Sequence, residues 1–306
     1  MNKLQKLRIA LIGLGDIAQK AYLPIAANHA KVSAILCTRN LQVLKKLALQ
    51  YRIDEAYSDL NTLIKHRPDA VMIHSTTESH FELVLKLLNA EIPVFVDKPL
   101  CYSIKEVEVL LNLATQKRTL LYIGFNRRFA PLIQSLSQQQ QKPVLIDWQK
   151  NRVNLPTNPR GFVFDDFIHV ADSLRFLAKG AIDNIQVFSK KQKGQLEILQ
   201  VQWQQNETLL SGTMNRISGG AEERIEYYTQ DNKWQIDELV SGVHYQNGKQ
   251  HPLVFDNWEN TLYKRGFIGL FDDWLNALQT NKFDDNRIQD IWDTHDLCEC
   301  IVSKIV

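Results

Sequence analysis

Cysteine is scarce in this sequence, with four in 306 residues. That is too sparse for a disulfide framework in a chain of this length, and it is the usage of a reducing compartment. Cys298 and Cys300 stand two apart in a segment of helical pattern, where their side chains diverge by about 200°. The pair builds no metal site, the sequence has no HExxH motif or cysteine cluster, and no bound metal is expected. An excess of charge of one sign is lacking as well. Lys and Arg number 36 against 34 Asp and Glu, a formal charge of +2, so there is no electrostatic case for nucleic acid or an anionic membrane. No apolar run approaches the roughly 18 residues that span a bilayer, and there is no internal repeat. Residues 1–8 lead directly into the first apolar segment without room for a signal peptide, so the expected address is the cytoplasm.

What is present is an ordinary globular composition, 44% hydrophobic and 23% charged, in a chain long for one core. The stretch that organises it is Arg8-Ile9-Ala10-Leu11-Ile12-Gly13-Leu14-Gly15-Asp16-Ile17-Ala18. A branched apolar run stops at glycine and a helix-compatible segment follows at once, the strand, turn and helix of a dinucleotide-binding βαβ unit. Gly13 lets the chain turn tightly, Gly15 removes the side chain that would block a pyrophosphate, and small Ala18 lets helix and strand pack closely. Asp16 and Ile17 open the helix, whose first N–H groups and partial positive charge face the phosphates. The alternative is a plain glycine turn before a helix.

The tip of the second strand, 32–37, is where the adenosine ribose is read. A carboxylate there would bind a 2′-hydroxyl and repel a 2′-phosphate. This chain has Thr38 and Arg39 instead, and arginine pairs well with phosphate, which favours NADP over NAD. An exposed arginine at a helix start is the alternative. Helices are expected over 16–29 (interrupted near Pro24), Leu41–Tyr51, 58–66 with Asp59 as cap, 81–89, and 104–116 with Ser103 and Glu106 as a capping box. Buried-type strands are expected over 70–74, 93–96 and 120–124. Loops at the C-terminal ends of such strands hold ligands. Ser75, Thr76 and His80 after one strand, and Asp97 and Lys98 after the next, are therefore placed at the cofactor, with helix capping as the other role for the hydroxyls and the preferred one for Ser79. This alternation makes 1–124 a Rossmann domain, a doubly wound parallel sheet.

The pattern changes in 125–306. After a helix over 131–141, strands are expected over 144–148, 185–189, 196–204, 207–216, 224–229, 233–239 and 243–245, with turns such as Asn247-Gly248 between them. Alternation such as Leu196, Ile198, Leu199, Val201, Trp203 indicates an antiparallel sheet with one covered face. Helices over 266–279 and 288–305 close the chain. Within this half, 164–177 reads as a helix with an apolar stripe of Phe164, Ile168, Ala171, Leu174 and Leu177. Asp165 and His169 are four apart and Asp172 three further, so all three project from neighbouring faces. A histidine beside carboxylates on one helix serves as an oriented proton-transfer group; N-capping by Asp165 or Asp166 with surface pairing is the alternative, and a metal site from the same residues is a third that no HExxH motif or cysteine cluster supports.

Taken together, Gly13–Ala18, Asp97-Lys98-Pro99, Gly124-Phe125-Asn126-Arg127-Arg128-Phe129 and Asp165-x-x-x-His169-x-x-Asp172 resemble the Gfo/Idh/MocA oxidoreductases over nearly the whole chain. The wording around His169 is most similar to the MviM-like branch. The resemblance implies a Rossmann domain followed by an α/β domain with a large open-faced, mostly antiparallel sheet. It implies hydride transfer between NAD(P) and a sugar, polyol or related hydroxyl compound. On it, Lys98 contacts the nicotinamide ribose and the reacting hydroxyl, and His169 is the acid/base with Asp165 beside it. Asp172 supports that cluster, and Arg127 and Asp172 lie with the substrate. Two places depart from the family pattern: Asp97 stands where glutamate is usual, and Phe167 with the glycine-poor lead-in 159–164 brings bulk that would narrow the pocket or shift Asp165. A homo-oligomer through the open sheet is expected, with Trp203, Trp234 and Trp258 near it or in the core. The rival function is a non-catalytic dinucleotide-binding redox sensor acting through a partner.

Overall fold

The computed structural model describes residues 6–280 and 282–306. Residues 1–5, on which part of the short-leader expectation rests, lie outside them. The chain separates into two compact units, Met1–Gly124 with Leu270–Trp292 and Phe125–Gly269 with Asp293–Val306. The first break falls where the parallel sheet ends, and residues 270–292 of the closing helices pack with the first unit.

In the first unit, β1 (Leu7–Ile12), β2 (Val32–Cys37), β3 (Ala56–Tyr57), β4 (Ala70–Ile73), β5 (Val94–Val96) and β6 (Leu121–Ile123) form one parallel sheet in the order β3-β2-β1-β4-β5-β6. β4, β5 and β6 are buried along their whole length, because helices cover both faces of such a sheet. Those are α1 (Leu23–Asn28), α2 (Leu41–Tyr51), α3 (Leu60–Lys65), α4 (His80–Asn89) and α5 (Ile104–Lys117). The helix expected over 16–29 runs through a π-helical turn, Ala18–Tyr22, before Pro24 enters at the start of α1. Asp59 caps α3 as expected, accepting from Thr62 N at 2.8 Å. Ser103 occupies the cap position of α5 but makes no side-chain capping bond, so the capping box is not formed.

The second unit opens with α6 (Pro131–Ser137) and contains an eight-stranded sheet. Its strands are β7 (Leu145–Val153), β8 (Ile182–Gln192), β9 (Gln195–Gln205), β10 (Thr208–Ser218), β11 (Glu222–Thr229), β12 (Asn232–Asp237), β13 (Ser241–Gln246) and β14 (Lys249–Leu253). Their order is β14-β13-β12-β11-β7-β10-β9-β8, antiparallel except for β7 beside β10. β14 escaped the sequence because Pro252 interrupts it; it is an edge strand, where a missing N–H is tolerated. Asn247-Gly248 joins it to β13 with both residues at positive φ, as a tight hairpin needs. Ile146, Trp148, Leu210, Met214, Ile225 and Ile236 are buried on one sheet face, which α7 (Pro159–Phe162) and α8 (Ile168–Ala178) help cover; α8 crosses β10 at Gly212 through Val170 and Leu174. Trp203 and Trp234 are buried on that covered face, the core position of the two that the sequence left open. The alternate residues, among them Phe188 and Leu209, lie exposed on the other face. The chain closes with α9 (Thr261–Lys264), α10 (Phe267–Thr280) and α11 (Asp285–Ser303).

Candidate active site

Gly13 sits where three strands meet. Its N–H donates to Cys37 O beside β2, while His74 N–H donates to Ile12 O from β4. Its φ is +81°, and a Cβ there would lie 2.4 Å from Ser75 N and 2.7 Å from His74 C. Gly13 is thus dictated by the protein itself. Gly15 is different: a Cβ on it would meet nothing within 4 Å. No packing requires that glycine, whereas a ligand approaching the backbone would. The first intrahelical bond runs from Gln19 N to Gly15 O, so the N–H groups of 16–18 precede it as the donors a helix start leaves without an intrahelical acceptor. Ala18 is fully buried. The Asp16 carboxylate pairs with Lys20 in solvent, leaving its backbone as the part at the turn. These residues fit a pyrophosphate.

At the tip of β2, Thr38 N–H donates to Tyr57 O at 3.2 Å, which ties the corner to β3. Asn40 caps α2, accepting from Gln42 N and Val43 N at 3.1 Å. Arg39 is exposed, and its guanidinium pairs with no described carboxylate. In the loop after β4, the Ser75 and Ser79 hydroxyls are 2.7 Å apart and Ser79 donates to Thr76 O, so Ser79 braces the loop rather than capping α4. Thr76 is exposed. His80, expected at the cofactor, is buried with Nδ1 2.9 Å from Pro99 O and Nε2 3.1 Å from Ser75 O. Both ring nitrogens are engaged by carbonyls, and the residue locks two loops together.

Asp97 accepts from Lys98 N at 3.0 Å and from the Tyr22 hydroxyl at 3.4 Å. Burial raises its carboxyl above the ordinary range against the opposing Lys98 charge. The Lys98–Pro99 peptide is cis. Sequence reasoning missed the aromatic floor under these loops. Tyr22 stacks on His74 with centroids 4.2 Å apart and meets Phe95 edge-on. His74 is buried with neither ring nitrogen hydrogen-bonded, and burial, with the nearby His80, pushes it down to about 3, so it stays neutral. Tyr22 and His74 read as plain core positions in the sequence, and no motif flags them.

In the second unit, a π-helical turn, Val163–Phe167, leads directly into α8. Such turns gather at functional sites. Asp165 and His169, four residues apart, are both half-buried where their immediate neighbours are buried, so both polar side chains keep an accessible edge. Phe167 is fully buried, packing toward β10 at Gly212, and does not narrow that edge. Two expected substrate contacts are otherwise engaged. Asp172 is 1% exposed and accepts from Arg128 Nε at 2.9 Å, Arg128 Nη2 at 2.5 Å and Thr294 Oγ1 at 3.0 Å. Arg127 is buried in a two-pronged pair with Glu223, at 2.5 and 2.8 Å. Both patterns look like ligand-binding residues in a sequence because partners 44 and 96 residues away are invisible there.

Residues 7–125 match the oxidoreductase family with the NAD-binding Rossmann fold, and residues 131–246 match the YceM-like C-terminal domain. A Gfo/Idh/MocA family oxidoreductase from Vibrio cholerae superposes with a TM-score of 0.92 at 38% identity, covering 98% of each chain. The chain belongs to the Gfo/Idh/MocA family. Within it, the MviM dehydrogenase of Clostridium difficile superposes with a TM-score of 0.91 at 27% identity, over 98% of this chain and 100% of that one. YceM of Salmonella typhimurium is 29% identical over 281 residues, 90% of this chain and 91% of its own. Membership makes the protein an oxidoreductase that binds a nicotinamide dinucleotide, and nothing favours the redox-sensor alternative. No helix among the described residues is long and apolar enough to cross a membrane.

Proposed function

We propose that the protein is a cytoplasmic, NADP-preferring dehydrogenase or reductase acting on a hydroxyl of a sugar or polyol. The observation that carries the chemistry is the Asp165–His169 edge, two half-buried proton-handling groups on a helix whose other acids, Asp166 and Asp172, are committed to arginines. Family members named as dehydrogenases of myo-inositol and of UDP-N-acetylglucosamine support the substrate class. Gly13, Gly15 and the N–H groups of 16–18 would hold the pyrophosphate, with Ser75, Thr76 and Asp97 on neighbouring loops. Arg39, exposed and without a carboxylate partner, would pair with a 2′-phosphate, with Thr38 beside it.

When bound, the nicotinamide supplies the hydride acceptor or donor. His169 takes the hydroxyl proton on oxidation, since a neutral imidazole with an unperturbed pKa of about 6.5 is a base near neutral pH. Asp165 orients that imidazole and favours its charged form. The Lys98 ammonium stabilises negative charge developing on the reacting oxygen. The exposed sheet face carrying Phe188 and Leu209 would meet a second copy of the chain.

The test is a screen of sugars, polyols and nucleotide sugars with NADP and NAD, followed by His169→Ala on the compound turned over. Turnover should collapse while cofactor affinity stays nearly unchanged; equal loss of both would show that His169 serves the cofactor site instead.

A further inference from the structure

Directly after Asp165 comes Asp166, which the sequence offers as no more than a cap. Its carboxylate is buried and accepts from three cations: Lys150 Nζ, Arg152 Nε and Nη2 at 2.9 and 3.1 Å, and Arg216 Nη2 at 3.1 Å. Lys150 and Arg152 come from one face of β7 and Arg216 from adjoining β10, so the sheet supplies all three. A second carboxylate continues the array, with Glu223 bound by Arg127 and by Trp148 Nε1 at 3.1 Å. Four cations therefore face two buried acids. Burial, with the Arg127 charge, pushes Lys150 down to about 7 against the opposing charges of Asp166 and Glu223. Burial alone would raise the Asp166 carboxyl, but the Lys150 and Arg152 charges and bonds outweigh it and hold the group well below the usual carboxylate range.

Fold stability does not explain this array. Well-packed apolar residues in place of a buried ion network are often neutral or stabilising, and the adjacent Phe167 shows that this turn accepts apolar burial. What the array does fix is the π-helical turn that carries Asp165, and it fixes it with a formal negative charge three residues before His169 in the chain. We propose that Asp166, clamped by Lys150, Arg152 and Arg216, is a positioning residue that holds the Asp165–His169 pair in register and sets the protonation of the His169 ring. The proposal rests on the acid–base role given to His169 above. Other ion pairs packed about this helix, Arg128 with Asp172, Arg160 with Glu299 and Arg175 with Asp293, are left in place by the substitutions below.

The experiment follows the ring Cε1–Hε1 signals of the histidines by NMR against pH in the full-length protein, with His169 assigned from the His169→Asn variant. Asp166→Asn removes a negative charge from the turn that leads into His169 and should move the His169 midpoint down by about one pH unit. Arg152→Gln removes a positive charge and should move it up by a similar or smaller amount. Arg152 is 38% exposed at the rim of the array, so this variant keeps the test open if Asp166→Asn does not fold. Shifts of opposite sign are required; a purely structural role moves both variants the same way or neither, and either result overturns the proposal. Turnover on the compound found above should fall about tenfold in Asp166→Asn with cofactor affinity retained. Full turnover in His169→Ala would instead overturn the acid–base role itself, while the ring titration judges the coupling separately.

Discussion

Two glycines in one turn should respond oppositely to the same substitution. In Gly13→Ala the new Cβ lies 2.4 Å from Ser75 N, a backbone atom of the loop leaving β4, at a φ of +81°. That backbone cannot retreat without loosening the His74 N–H bond to Ile12 O, 2.8 Å long, and the Gly13 bond to Cys37 O. A left-handed alanine costs about 1–2 kcal/mol, and forced overpacking about 1–3 kcal/mol more. The sum, about 2–5 kcal/mol, lowers the melting temperature of a unit this size by roughly 5–20 °C. Gly15→Ala meets no protein atom within 4 Å. Alanine at a compatible site raises stability by about 0.4–1 kcal/mol through the unfolded chain. Its methyl instead occupies the space left for the pyrophosphate, and a clash of about 1–3 kcal/mol there weakens cofactor binding about 5- to 150-fold. The assay is a thermal melt of the free protein beside a fluorescence titration with NADPH for each variant. If Gly15→Ala melts as low as Gly13→Ala, or binds NADPH like the wild type, then Gly15 is a packing residue and the assigned phosphate cradle is wrong.

Other consequences follow from individual pairs. Arg39→Ala should weaken NADPH about tenfold or more while sparing NADH, in keeping with loss of one charge-assisted phosphate contact; an unchanged ratio would remove the 2′-phosphate assignment. Asp172→Asn leaves the Arg128 guanidinium short of its buried partner and should cost about 3–5 kcal/mol of stability; an unaltered urea midpoint with a raised KM would return Asp172 to the substrate. Glu223, where burial is overcome by Arg127, sits at about 2 instead of the ordinary 4.5. A lowered folded value means stability present above pH 4.5 and lost as pH falls from 4.5 through 2, about 3 kcal/mol from this group. Urea melts across that window should therefore slope less in Glu223→Gln than in the wild type, and parallel slopes would show that Glu223 does not titrate with unfolding.

The fold was legible where the signal is local. Branched apolar runs ending in turns mark every strand of the parallel sheet but the two-residue β3, and Gly13, Gly15 and Ala18 fall at the turn their chemistry demands. Asp165 and His169 were legible through their helical spacing and their family likeness, and both keep an accessible edge. Partnership was not legible. Arg127 and Asp172 carry ligand-like chemistry in the sequence, yet each is satisfied by a residue far along the chain, Glu223 and Arg128. His80 looks like a loop ligand until Pro99 O and Ser75 O are seen at its two nitrogens. Asp166 looks like a cap because the cations that surround it come from β7 and β10, whose pairing no local pattern encodes.

Nicotinamide-dependent chemistry with a preference set at Arg39 is tested most directly by titrating the purified protein with NADPH and, separately, with NADH while following the fluorescence of the reduced nicotinamide. Saturable micromolar binding of both, tighter for NADPH, is the expected result. Equal affinities would contradict the NADP preference and leave the enzyme; no binding of either dinucleotide would contradict the assignment of the Gly13–Ala18 turn and, with it, the chemistry proposed for this chain.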